Sequence, residues 1–398
     1  MELSFKKIYF FLIVGISIIS ACLQGASDIP PVAENDEGAQ HMVRVLISQK
    51  DAEGGVWLLE SLSPMYLRAF DVSLGRYRRY RIEQHRIEIF YKAGSFIING
   101  KRFSNVQFEL MPSEGKRLLF EGKEYEGSFI FCVHNESCLV ISYLSLEKYI
   151  CSVLKSESWP GWPLEVNMVF AVACRSYVVA KMLQARKKKL LYDVKNTNIH
   201  QTYQGFHTQE SLKKAVAHTR GLILTHKKKP VMAMFDSCCG GIIPAHMHGV
   251  NFDHAPYLAR QAACNYCKDS KLYRWKLEID QHELENLLQC KGLNVTALSD
   301  IVISKKDKAG IVQEITICGN NKILKVSGKK LYSWLKPLKS YSYIVKKRSR
   351  KIIFSGTGYG HHLGMCQWGA HAMVSEGYRC PEILGFYYPG TQIMKLRC

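Results

Sequence analysis

Residues 165–186 carry two apolar stripes at helical spacing and leave almost no polar face. One stripe is Val166, Val169, Phe170, Ala173, Tyr177 and Ala180; the other is Met168, Val172, Arg175, Val179 and Met182. A helix that is apolar nearly all round is stable only when it is enclosed. The rest of the chain must therefore supply walls around it. Arg175 is the one charge on these stripes, and a buried guanidinium needs a carboxylate or another polar partner. Such a partner either belongs to a ligand site or simply ties the helix to a sheet.

The segment before this helix sets Glu157 beside Trp159 and Trp162, with Pro160 and Pro163 stiffening the path. A carboxyl group in a rigid aromatic setting tends to hold its proton, because desolvation penalises the charged form. A carboxyl protonated near neutral pH can act as a general acid. Glu157 is thus the first candidate for a catalytic residue.

From residue 43 to about 143 the text changes to short strand-like runs, such as Val43–Ile47, Ile87–Phe90 and Phe129–Cys132, separated by glycine or polar turns. Residues 272–343 alternate strands with turns and hold one amphipathic helix near 281–288. The expected class is α+β: an antiparallel β-rich body around a buried central helix, with a small α+β insertion. The expected divisions are an export segment at 1–21, a tether at 22–42, a β-rich region at 43–145, a core at 146–271, the insertion at 272–345 and a return to the core at 346–398.

The chain opens with Lys6 and Lys7 before an apolar run from Ile8 to about Ile19, the pattern of an export signal. That run ends Ala21-Cys22, which resembles the site at which bacterial lipoproteins are cleaved and lipidated; ordinary cleavage after Ala26 competes. The protein is expected in the periplasm or cell envelope, tethered to the membrane if Cys22 is modified. Lys and Arg number 54 against 34 Asp and Glu, a net charge of +20 that favours anionic partners. No aromatic-interleaved basic motif of a nucleic-acid module appears, so nucleic acid is not the expected partner. Basic runs such as Lys187–Lys189 read individually as solvated loop charge.

Fourteen cysteines are many. With Cys22 set aside an odd number remains, so at least one is free or metal-bound. Cys132 and Cys138 flank a turn-like stretch and could face each other across a hairpin. Cys239, followed by Cys264 and Cys267 in a Cys-x-x-Cys pair, offers three thiolates for tetrahedral zinc, with Asp236, Cys238, His246 or His248 as the fourth ligand. A disulfide from Cys239 to one member of the pair is the competing reading. Residues 354–369 form a glycine-punctuated segment with His361, His362 and Gln367. Too little chain follows it for a dinucleotide-binding unit. Glycines at this density let backbone approach a polymeric ligand closely, and His361 and Gln367 would line that approach.

Together these motifs resemble the SpoIID/LytB family, the group of stage II sporulation protein D and the amidase enhancer. Glu157 with Trp162-Pro163 and Glu165 is similar to its "E-M-P … W-P-x-E" segment, and Arg175-Ser176-Tyr177 to "A-A-R-T-Y". Gln201 to Gly205 matches "Q-x-Y-x-G", Ser237 to Gly241 "S-x-x-G-G", Pro256-Tyr257-Leu258 "P-Y-L", and 358–370 the "G-x-G-x-G-H-G-V-G-M-S-Q-W-G-A" signature. The resemblance implies a lytic transglycosylase acting on peptide-stripped peptidoglycan in wall remodelling at division or sporulation-like septa, with Glu157 as catalytic acid. It implies substrate binding by Arg175, Gln201, Tyr203, Ser237, Gly241, Tyr257, His361 and Gln367. Trp159 and Tyr203 would stack on sugars. The chemistry needs no cofactor, so any zinc would be structural. The alternative is a non-catalytic peptidoglycan-binding enhancer of a cell-wall amidase; a two-carboxylate glycosidase using Asp193 or Asp236 is a third reading. The chain departs from the family pattern at Met168 (usually Lys), Phe170 (Gln), His362 (Gly) and Cys366 (Ser).

Overall fold

A computed structural model describes residues 41–396, apart from 53–54, 72–73, 106, 198 and 321. The expected export segment, the tether up to residue 40 and Cys22 fall outside the described residues. The chain divides into two units, each built from discontinuous stretches. The first takes the described residues up to Ser156 and Lys181–Thr208; the second takes Glu157–Ala180 and Gln209–Leu396. The class is mixed α+β, as expected, with mainly antiparallel sheets. Seven α-helices occur among the described residues: α1 (Leu146–Glu157), α2 (Leu164–Lys187), α3 (Glu210–His218), α4 (Gln281–Cys290), α5 (Gly328–Trp334), α6 (Gln367–Ser375) and α7 (Cys380–Tyr387).

In the first unit, alternating apolar residues make the strands. Met65–Asp71 buries Met65, Leu67 and Ala69, while the residues between them face outward. A seven-stranded sheet runs Val194–Lys195, Met42–Asp51, Ser137–Ser145, Ser128–His134, Gln107–Pro112, Met65–Asp71, Arg76–Ile82. A six-stranded sheet runs Lys123–Tyr125, Leu118–Phe120, Val56–Glu60, Arg86–Lys92, Ser95–Ile98, Lys101–Phe103. Rings join the two: Trp57 meets Phe131 edge-on at 6.1 Å and Phe96 meets Phe108 at 4.8 Å. All four are buried, and each contributes about 1.5–3 kcal/mol relative to exposure.

The hairpin of this unit corrects one expectation. Cys132 pairs with Leu139, and Val133 with Cys138. That one-residue offset sends the two thiols to opposite faces of the sheet, and both are free.

In the second unit α2 is the buried element that its periodicity demands. Val166, Val169, Phe170, Val172, Ala173 and Arg175 have no exposed surface. It is the one helix among the described residues long and apolar enough to cross a membrane, yet 83% of its apolar window is enclosed by protein. Residues 274–357 build a core of their own around Leu284 and Leu288 of α4, Ile315, Ile317, Leu331 of α5 and Phe354. Asp280 caps α4 by accepting from His282 N at 2.8 Å, and Ser327 caps α5. This core extends past residue 345, because strand Lys351–Thr357 lies between Arg274–Asp280 and Tyr343–Arg348.

Candidate active site and cysteine cluster

Glu157 ends α1 and is half-buried. Its backbone carbonyl accepts a hydrogen bond from Gln367 Nε2, the first residue of α6, at 2.9 Å. The segment after it is pinned by α2. Ser158 Oγ donates to Asn167 Oδ1 at 2.5 Å, and Asn167 Nδ2 donates to the Trp162 carbonyl at 3.2 Å. Asn167 is fully buried, so water does not compete for either bond.

Aromatic rings complete this corner. Trp159, 62% exposed, stacks on Trp162 with ring centres 6.3 Å apart. Trp162 also meets Trp368 at 5.6 Å, His371 at 5.0 Å and Phe170 at 5.8 Å. Phe170 lies between Trp162 and Phe235, so the departure from glutamine at this position extends a ring cluster. Beside it, Trp368, His371 and Tyr266 line a cavity of about 620 Å³.

The Glu157 charge reaches two residues one turn apart on α2. Burial and then Glu157 push the Tyr177 phenol up to about 12. Burial and then Glu157 raise the Cys174 thiol, opposed by Arg175. Both charges therefore act on Cys174. Arg175, fully buried, donates from Nη1 to the Leu222 carbonyl at 3.1 Å and the Ala171 carbonyl at 3.4 Å. It thereby ties α2 to strand Leu222–His226, reinforced by Ser176 Oγ accepting from Leu224 N at 2.7 Å.

Other expected site residues turn out to be internal. Gln201, in the first unit, is 1% exposed and accepts from Tyr149 Oη at 3.1 Å. Tyr203 is equally buried, stacked on Tyr149 at 5.6 Å and bonded to Ser142 Oγ at 3.1 Å. Burial removes both from any surface a sugar polymer could touch, which corrects their reading as substrate-binding residues. Asp193 is held by Arg44 at 2.8 Å, and Asp236 is buried with its carboxyl pushed well up by desolvation; neither is disposed as a second sugar-facing carboxylate. Ser237 and Gly241 are half-buried, the Ser237 carbonyl accepting from Trp368 N at 3.2 Å. Tyr257 Oη accepts from Met232 N at 3.1 Å.

The glycine-rich segment approaches its own chain, not an open ligand face. Tyr359 N donates to the Cys238 carbonyl at 2.7 Å, Cys238 N returns a bond at 3.1 Å, and Phe235–Asp236 pairs in parallel with Met365–Cys366. At Gly364 φ is +72°, and a Cβ would collide with the Met234 carbonyl. His362 stands where the related signature has glycine and adopts φ +65°, the left-handed region that favours glycine. Its N–H donates to Asp236 Oδ2 at 2.6 Å and its Nδ1–H to the Cys239 carbonyl at 2.9 Å. His361 Nδ1 accepts from Leu363 N at 3.1 Å, and burial holds its imidazole down to about 4 against a ring bond to the Phe235 backbone.

Cys239, Cys264 and Cys267 come together, and the fourth member of the group is Cys366. The four Sγ atoms lie within 4.8 Å of one another. Asp236, Cys238, His246 and His248, the candidates drawn from the sequence, are not in that group. Cys366 reaches it because the parallel pairing sets Asp236 opposite Cys366. None of the twelve described cysteines forms a disulfide, and the Cys239 and Cys267 sulfurs lie 3.8 Å apart.

Comparison with known proteins agrees with this arrangement of motifs. Residues 134–226 match the family described as stage II sporulation protein (SpoIID), and residues 256–364 match a domain of unknown function. An uncharacterized protein of Brachyspira hyodysenteriae is 34% identical over 280 residues, 69% of this chain and 73% of its own length. Stage II sporulation protein D of Bacillus subtilis is 28% identical, covering 64% of this chain and 75% of its own length. The amidase enhancer of the same organism is 24% identical over 71% of this chain but only 45% of its own length. The chain belongs to the SpoIID/LytB family.

Proposed function

We propose that this protein acts on the cell wall outside the cytoplasm as a peptidoglycan lytic transglycosylase, with Glu157 as the single acid and base. The observation that carries the reading is the setting of Glu157: half-buried, its backbone held by Gln367, with Trp159 exposed two residues on. Protonated Glu157 gives its proton to the oxygen of the MurNAc–GlcNAc bond as that bond breaks. The 6-hydroxyl of the same muramyl sugar closes onto the anomeric carbon and passes its proton to the now ionised carboxylate. One carboxyl group completes the cycle, whereas hydrolases usually use two. The +20 charge suits the lactyl carboxylates of a peptide-stripped strand. The names of the Bacillus relatives support a role in the wall.

The test is to incubate the purified protein with peptide-stripped glycan and analyse the products by mass spectrometry. Anhydro-muramyl ends that vanish in Glu157→Gln are the expected outcome. Reducing ends would mean hydrolysis by two carboxylates, and binding without cleavage would mean an enhancer that serves an amidase.

A further inference from the structure

We propose that Cys239, Cys264, Cys267 and Cys366 bind one zinc ion in a buried tetrathiolate site that locks the glycine-rich signature against the Cys-x-x-Cys loop. A Zn–S bond of about 2.3 Å sets neighbouring sulfurs of a tetrahedron about 3.8 Å apart. Cys239 and Cys267 Sγ are 3.8 Å apart, and all four sulfurs lie within 4.8 Å of one another. A disulfide would need about 2.05 Å. All four side chains are at most 1% exposed. Four thiols without oxidation or a cation would be a poor use of so enclosed a space, and tetrahedral sulfur ligation selects zinc among common divalent ions.

The surroundings are built for thiolate charge. Cys239 N and Gly369 N donate to Cys366 Sγ at 3.2 and 3.3 Å, and Tyr387 Oη lies 3.2 Å from Cys264 Sγ. Such outer bonds orient and stabilise metal-bound thiolates. Gly369 leaves the room they need: a Cβ there would stand 2.8 Å from Cys264 Sγ. Cys366 is also the N-cap of α6, its sulfur accepting from Gly369 N, and Gln367 follows it directly. The ion would thus fix the start of the helix whose first side chain holds Glu157. The related signature carries serine at this position, so its departure to cysteine supplies the fourth ligand.

The full chain, purified under reducing conditions without added metal, is expected to carry one zinc per molecule by elemental analysis. Replacing zinc with cobalt(II) should give the intense charge-transfer and visible bands of tetrahedral tetrathiolate cobalt. Cys366→Ser should lose the ion, and Cys238→Ser, altering a neighbouring thiol outside the tetrad, should keep it. The cobalt spectrum needs no variant, so a misfolded Cys366→Ser leaves the proposal testable. Wild-type protein that is metal-free and four hydrogens lighter than its reduced mass, holding two disulfides, would overturn it. So would iron in place of zinc, a cobalt spectrum lacking thiolate bands, or zinc lost from Cys238→Ser and kept by Cys366→Ser. None of these readouts depends on glycan cleavage, so the metal site and the enzymatic reading stand or fall separately.

Discussion

Gln367 Nε2 donates to the backbone carbonyl of Glu157 at 2.9 Å, across 210 positions of sequence. The last carbonyls of a helix have no partner within it, and here one of them is satisfied by a side chain from the glycine-rich signature. The bond holds the backbone of Glu157. Gln367 is accordingly a positioning residue for the candidate acid.

Gln367→Met keeps the volume and removes the donor. A hydrogen bond of this kind contributes about 0.5–1.5 kcal/mol, so glycan cleavage should slow roughly two- to ten-fold if that energy is lost from the transition state. The effect should fall on kcat more than on KM, since the bond orients Glu157 and does not meet the substrate. An unchanged kcat would show that the bond is incidental.

Asn167→Leu should loosen the turn after Glu157. The variant strands the Trp162 carbonyl and the Ser158 hydroxyl, both bonded to the Asn167 side chain in the native protein. Leaving buried polar groups unpaired costs about 1–3 kcal/mol. The measurement is the urea midpoint at constant m-value, together with amide exchange, where protection should drop at residues 158–162 before it drops in the remainder of α2. Uniform loss of protection would argue against a local clamp.

How far these features were legible differs by feature, for physical reasons. The two stripes of α2 bounded it to within a residue of Leu164–Lys187, because burial on all sides leaves a periodic trace. Arg175 was recognisable as a buried charge, but its carbonyl partner at Leu222 was not, since backbone acceptors have no sequence signature. Cys264 and Cys267 announce themselves by spacing. Cys366 does not, being brought to Cys239 only by a parallel pairing between strands more than a hundred positions apart. Gln201 and Tyr203 sit in a motif yet are buried, because hydroxyl and amide groups pair internally as readily as with sugar. The glycines signal close approach of backbone, but that the group meeting Gly364 is the Met234 carbonyl follows from topology alone.

Neutral burial of two histidines should make the fold sensitive to acid. Burial holds His361 and His362 down to about 4, against the ordinary 6.5. The unfolded chain therefore binds protons that the folded one refuses, and stability present above pH 6.5 is lost as pH falls toward about 4. The melting temperature should decline across that interval. His361→Gln, which cannot take a proton, should show a shallower decline. A parallel pair of curves for the wild type and the variant would exclude His361 as a source.

Trp159 and Trp162 should separate binding from stability. Trp159 is 62% exposed and presents one face to solvent, whereas Trp162 is half-buried among Trp159, Trp368, His371 and Phe170. A ring stacked on a sugar contributes on the order of 1 kcal/mol, by analogy with aromatic pairs, which is about five-fold in Kd. Trp159→Ala should weaken binding to peptide-stripped glycan by that factor while shifting stability by no more than about 0.5 kcal/mol, as for other surface changes. Trp162→Ala should instead destabilise by an amount approaching the roughly 3–5 kcal/mol seen when a buried aromatic is truncated. Calorimetric binding and thermal melts on the two variants make the comparison. If Trp159→Ala left glycan affinity intact, the exposed ring would have no part in holding substrate.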